Sequence, residues 1–210
     1  MQAEFWYERW ASNDIGFHQP EANHFLTKYM SQLELPVGGR VFLPLCGKSL
    51  DIHWLLAQGY AVAGAELSEM AVQQLFEELG LEAAVRHEGT LKCYSAPQID
   101  IWVGDIFELD KQALGPVGAV YDRAALVALP LPTRHRYTQH LMAITGRVRQ
   151  LLICFEYDQS LMEGPPFSIT DTEVESHYGS DYQISLLEAV PVVGGFRTLE
   201  QADEKAVLLI

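Results

Sequence analysis

Between Arg40 and Glu66 the spacing of apolar positions changes twice. Val41, Phe42, Leu43 and Leu45 form a short run without alternation, the pattern of a strand covered on both faces. Ile52, Leu55 and Leu56 then recur at helical spacing, and residues 61–65 return to a small apolar run. Cys46-Gly47-Lys48-Ser49 reads as the turn between strand and helix. Gly47 can take positive φ or let a ligand approach the backbone, and Ser49 can cap the helix that Gly59 stops. Glu66 closes the second strand, about 20 residues beyond the turn, where nucleotide-binding units place a ribose-binding carboxylate. An ordinary βαβ unit with a solvated Glu66 has the same pattern.

The alternation continues along the chain. Residues 3–11 read as a helix in which Trp6 and Trp10 share a face, with Trp6 expected to pack on the core and Trp10 to contact a ligand. Pro20 opens a second helix through about residue 32. Ser68 caps a helix with an apolar stripe from Ala71 to Leu79, ended by Gly80. Residues 83–94 are short strands turning at Glu88-Gly89, and residues 99–103, 117–121 and 151–155 are further strands of the central sheet. Pro132 begins a helix that Gly146 stops, and Thr170 with Glu173 makes a capping box. Residues 182–189 and 205–210 are two closing strands around a Gly194-Gly195 turn. Strands alternating with helices predict an α/β fold, a doubly wound and mostly parallel sheet, in which one closing strand runs antiparallel.

In such a sheet the ligand lies beyond the carboxyl ends of the strands, where strand order reverses. The residues expected there are Leu45–Gly47, Glu66, Asp105–Ile106 and Asp122–Arg123. Their chemistry is a turn glycine, acids and one arginine, all of which are also ordinary loop residues when taken singly.

Composition narrows the partners. The 210 residues are 49% hydrophobic and 20% charged, suited to a single domain over 1–210. A formal charge of −14 disfavours nucleic acid and anionic membrane surfaces and says little about small-molecule partners; a monomer is the expected state. Cys46, Cys93 and Cys154 are isolated, which fits a reducing, cytoplasmic setting better than disulfides or a zinc site. The N-terminus lacks a signal-peptide pattern, and no apolar run approaches the roughly 20 residues of a membrane span.

Motifs for general catalysis are missing. There is no G-x-S-x-G elbow and no H-E-x-x-H, and His18, His53, His87 and His140 are scattered. Cys46 reads as a small buried residue rather than a nucleophile. A nicotinamide-dependent oxidoreductase would carry a three-glycine fingerprint, whereas only Gly47 stands in the turn. Positioning is the catalytic resource that remains.

The segments FWYERWASNDIGFH, LPLCGKSLDIHWLLAQGY, GAELSE, YDRAALVALP and GPPFS occur in this order over nearly the whole chain. Together they resemble the thiopurine S-methyltransferase family. The resemblance implies a Rossmann-like class I methyltransferase with a seven-stranded sheet and an antiparallel C-terminal hairpin. It also implies S-adenosylmethionine as cofactor and a small aromatic or heterocyclic thiol as methyl acceptor. Selenium or tellurium compounds, or another small thiol, are the alternative acceptors; a non-catalytic cofactor sensor is the alternative outside enzymes.

Carried over by position, the resemblance places a backbone contact at Leu45 beside Gly47, and the ribose on Glu66. It makes residues 1–35 a helical cover, with Trp10 over the cofactor and Phe17 close by. Asp105-Ile106 flanks the adenine, although some relatives have a small polar residue in place of Asp105. Arg123 stands at the active-site mouth, near cofactor and acceptor, where a fixed cation would favour the anionic form of a thiol. An ion pair with Asp122 or another acid is its plainer role. Phe167 in GPPFS offers a flat wall for a ring, and Arg197 is the candidate second arginine for substrate.

Overall fold

The structure, a computed structural model, describes residues 3–16, 18–192 and 201–210. At its centre Arg40–Pro44 forms β1, with Val41, Phe42 and Leu43 all buried, as a strand covered on both faces requires. Alternate residues serve opposite layers: Phe42 packs with Val120, Leu152, Tyr137 and Leu141, while Val41 and Leu43 pack with Val62, Ile52, Leu55 and Leu75. The strand pairs in parallel with β2 (Ala61–Glu66) on one side and β6 (Ala119–Arg123) on the other. Strand order therefore reverses at β1, and its C-terminal end opens the crevice of a doubly wound sheet.

The remaining strands are β3 (Ala84–Glu88), β4 (Leu91–Ala96), β5 (Ile99–Val103), β7 (Gln150–Glu156), β8 (Ile184–Pro191) and β9 (Asp203–Leu209). The sheet runs β3-β4-β5-β2-β1-β6-β7-β9-β8, nine strands where seven were expected. The two additional strands are the β3–β4 hairpin, the short strands expected over residues 83–94, and β4 joins β5 in antiparallel register. This hairpin satisfies the backbone edge that β5 would otherwise expose; β3 itself is exposed along its length and so has no burial pattern to read. At the other edge β9 is antiparallel to both β7 and β8, so one closing strand is reversed, as expected.

The helices are α1 (Ala3–Ala11), α2 (His24–Tyr29), α3 (Leu50–Ala57), α4 (Glu69–Leu79), α5 (Lys111–Leu114), α6 (Leu131–Thr145) and α7 (Asp171–Tyr178). Ser49, Ser68 and Thr170 each accept a backbone N–H as caps of α3, α4 and α7. The second helix differs from expectation. It starts at His24, after Asn23 rather than Pro20, because the Asn23 side chain accepts Phe25 N–H, and it passes into a 3-10 turn over Met30–Leu33. The expected Gly194-Gly195 turn lies outside the described residues. Among the described residues no helix is long and apolar enough to cross a membrane.

Candidate cofactor and methyl-transfer site

The turn after β1 takes two left-handed residues, Leu45 at φ 47° and Gly47 at φ 53°. A leucine in that region is uncommon and strained, and such strain gathers at ligand-binding turns. The turn is tied to β2 twice: Cys46 N–H donates to the Ala65 carbonyl at 2.9 Å, and Gly47 N–H to Glu66 Oε2 at 2.8 Å. Glu66 Oε1 accepts Ser68 N–H at 2.8 Å. Glu66 is 6% exposed; burial pushes its pKa up, and the Ser68, Gly47 and Leu67 N–H groups oppose that rise. An ionised carboxylate has about four acceptor sites, so these backbone donors do not exhaust it and leave room for a ribose hydroxyl.

Trp10 closes this corner. A Cβ built on Gly47 would lie 3.0 Å from Trp10 Cζ2, so the indole stands where only glycine admits it. Trp10 is the buried tryptophan of α1; Trp6, expected to pack on the core, is half-buried in edge contact with Phe5. Burial, then the nearby Glu66 charge, raises the Cys46 thiol well above its ordinary pKa, and a Cβ on Gly64 would meet its sulfur at 2.8 Å. Cys46 is a packed thiol with no thiolate character near neutral pH.

After β5, Gly104 N–H donates to the Glu66 carbonyl at 2.9 Å, bringing the next turn alongside. Asp105 is exposed, and its carboxylate accepts Phe107 N–H at 3.0 Å, capping a 3-10 turn over Ile106–Glu108. Ile106 is buried, and its carbonyl bonds to His140 Nε2 at 2.8 Å. Ile106 thus packs in the core beneath this turn, and the Asp105 side chain is engaged in capping it.

At the end of β6, Arg123 faces α3. Its Nε donates to Asp51 Oδ2 at 2.6 Å and its Nη2 to Ser49 Oγ at 2.9 Å. Burial disfavours the guanidinium charge, but the Asp51 carboxylate outweighs this and leaves the pKa raised. Asp122 does not pair with it. Adjacent strand residues point to opposite faces, and Asp122 instead accepts Tyr137 O–H at 2.6 Å and Leu126 N–H at 3.2 Å on the α6 side. The plainer expectation for Arg123, an ion pair with an acid, is therefore met, with Asp51 as the acid. The sequence did not single Asp51 out, because an acid in the first turn of a helix reads as an ordinary companion of the helix dipole.

The GPPFS loop follows β7 and is pinned to the segment after β6, where Phe167 N–H donates to the Val127 carbonyl at 2.6 Å. The half-buried Phe167 ring lies against Gly164, and the Arg134 guanidinium stands 5.4 Å from its centroid. Phe17 and Arg197 lie outside the described residues. The structure thus gathers Trp10, Leu45, Gly47 and Glu66 into one corner, while Arg123 and Phe167 follow neighbouring strand ends. A buried carboxylate with spare acceptors, a strained turn and no glycine-rich pyrophosphate cradle suit an adenosyl group better than a dinucleotide.

Comparison with known proteins agrees. The profile described as thiopurine S-methyltransferase (TPMT) matches residues 1–207. The chain is 50% identical to a thiopurine S-methyltransferase of Xanthobacter autotrophicus over 210 residues, covering 100% of this chain and 99% of that one. A thiopurine S-methyltransferase of Teredinibacter turnerae is 51% identical over 197 residues, 94% of this chain and 92% of its own. The fold is similar to a SAM-dependent methyltransferase from Anabaena variabilis, with TM-score 0.65, 15% identity, and 99% and 94% of the two chains covered. It is also similar to a Burkholderia thailandensis 1,6-didemethyltoxoflavin-N1-methyltransferase holding S-adenosylhomocysteine, with TM-score 0.66, 15% identity, and 99% and 86% covered. With kinship along its whole length and a methyltransferase fold around the Glu66 corner, the chain belongs to the thiopurine S-methyltransferase family of S-adenosylmethionine-dependent methyltransferases.

Proposed function

We propose that the chain methylates the sulfur of small aromatic or heterocyclic thiols, of the thiopurine kind, by direct in-line displacement. When bound, S-adenosylmethionine supplies a methyl group on a sulfonium: the acceptor thiolate forms the new S–C bond as the old one breaks, and S-adenosylhomocysteine leaves with the electron pair. The thiol proton passes to solvent, because aromatic thiols ionise readily without a dedicated base.

The chain's residues divide the remaining work. Glu66 holds the ribose hydroxyls with its spare acceptor sites, and the strained backbone at Leu45 and Gly47 receives the rest of the cofactor. Trp10 and Phe17, in the cover formed by residues 1–35, exclude water over it, and Asp105-Ile106 borders the adenine. Arg123 favours the thiolate over the thiol, and Phe167 and Arg197 border the acceptor. The observation that carries this reading is the half-buried Arg123, a cation held by Asp51 at the β6 end. Its Nη1 has no hydrogen-bond acceptor among the described residues.

The test is labelled-methyl transfer from S-adenosylmethionine to a panel of aromatic thiols, aliphatic thiols and selenium or tellurium compounds. Turnover of mercaptopurine-type thiols is expected. Turnover of chalcogen compounds alone would move the acceptor class, and cofactor binding without transfer to any acceptor would mark a sensor.

A further inference from the structure

Asp51 is 1% exposed in the first turn of α3, and three groups, one from the N-terminal segment and two from β6, converge on its carboxylate. Oδ1 accepts the backbone N–H of Asn23 at 2.7 Å; Oδ2 accepts Arg123 Nε at 2.6 Å and the Tyr121 hydroxyl at 3.2 Å. Asn23 is also the cap of α2, its side-chain oxygen accepting Phe25 N–H at 2.9 Å, and its amide nitrogen donates to Glu204 Oε1 at 3.1 Å. A single buried acid thus ties the start of α2, in the N-terminal segment, to the arginine at the end of β6.

Such an arrangement is a weak way to gain stability, since apolar side chains of similar volume commonly do as well as a buried ion pair. What it supplies is orientation. With Nε held by Asp51 and Nη2 by Ser49, two edges of the guanidinium plane are fixed against α3, and the plane has little freedom to turn.

We propose that Asp51 is a positioning residue for methyl transfer, fixing the plane of Arg123 and coupling it to the seating of the N-terminal segment through Asn23 N–H. The proposal rests on the reading of Arg123 as the cation that favours the thiolate. Asp51 touches neither cofactor nor acceptor and acts through the arginine alone.

A double-mutant cycle tests it with Asp51→Asn, Arg123→Ala and their combination, using 6-mercaptopurine as acceptor. Affinity for S-adenosylhomocysteine is followed by calorimetry, and the Arg123 Nε–H signal by ¹⁵N NMR. Asp51→Asn is expected to shift that signal, to lower kcat/KM about tenfold or more, and to leave S-adenosylhomocysteine affinity within about threefold. In the Arg123→Ala background it is expected to cost less than about twofold. Asp51→Glu, a poorer isostere that keeps the charge, is expected to retain more activity than Asp51→Asn. Multiplying losses in the double variant, or an Asn variant within twofold of wild type, would overturn the proposal. Unchanged kinetics for Arg123→Ala alone would instead remove the reading beneath it. If Asp51→Asn does not fold, Ser49→Ala frees Nη2 without stranding a buried charge, and the same cycle with Arg123→Ala decides.

Discussion

Asp122 and Arg123 are consecutive on β6 and ionise on opposite sides of the sheet, Arg123 against Asp51 of α3 and Asp122 against Tyr137 of α6. Pleating alone separates them, so neither neutralises the other. The consequence for Arg123 is a cation set by a distant acid. The consequence for Asp122 is a carboxyl whose pKa burial raises to about 6, against the help of Tyr137, Leu126 and Ala125.

That shift makes stability depend on pH with a definite sign. The folded chain holds the Asp122 proton up to about pH 6, whereas an unfolded aspartate loses it near 3.8. Between these values the native state binds more protons, so stability falls as pH rises and the loss is complete above pH 6. Asp122→Asn keeps an acceptor and loses the titration. Urea unfolding at several pH values should show the variant gaining about 2–3 kcal/mol on wild type between pH 4 and pH 7. A difference that stays constant with pH would mean that Asp122 titrates normally.

Glu66→Gln should weaken S-adenosylhomocysteine binding by about 10- to 100-fold, the worth of one or two hydrogen bonds to a charged acceptor. The amide loses one acceptor oxygen, and its NH₂ opposes either Gly47 N–H or Ser68 N–H, so a fall in melting temperature is also expected. Calorimetry and thermal unfolding measure the two effects separately. Unaltered affinity would take Glu66 out of the binding site.

Gly47→Ala tests the turn itself. The new Cβ would adopt φ 53° and stand 3.0 Å from the Trp10 ring. A left-handed alanine alone costs about 1–2 kcal/mol. Trp10 must also shift, so its fluorescence should change along with the lower stability. A variant with wild-type emission and melting temperature would contradict the placement of Trp10 on Gly47.

Arg123→Ala should lower turnover of thiols most at pH values below the acceptor's own pKa, where the thiolate is scarce, by about tenfold or more. It also strands Asp51 as an unpaired buried carboxylate, so a loss of about 3–5 kcal/mol in stability is expected. The pH profile of kcat/KM separates the effects, since unfolding lowers the amount of active enzyme without moving the acidic limb. A profile displaced by nothing would remove Arg123 from the chemistry.

Phe167→Ala should raise KM for flat heterocyclic thiols by several-fold, in line with about 1 kcal/mol for a lost aromatic contact. Affinity for S-adenosylhomocysteine should stay unchanged. Equal KM values for flat and aliphatic thiols in the variant and the wild type would leave GPPFS as a connection only.

Local pattern determined much of this protein. Strand runs, caps at Ser49, Ser68 and Thr170, and the interval from Gly47 to Glu66 are properties of neighbouring residues, and each survives in the folded chain. Tertiary structure alone decided the partner of Arg123, because Asp51 lies 72 residues away and reaches it only when α3 packs against the β6 end. It likewise decided that α2 begins after Asn23, whose N–H is drawn to the buried Asp51, rather than at Pro20. The β3–β4 hairpin joined the sheet through the open edge of β5, a demand of backbone hydrogen bonding that an exposed strand such as β3 does not announce in its side chains.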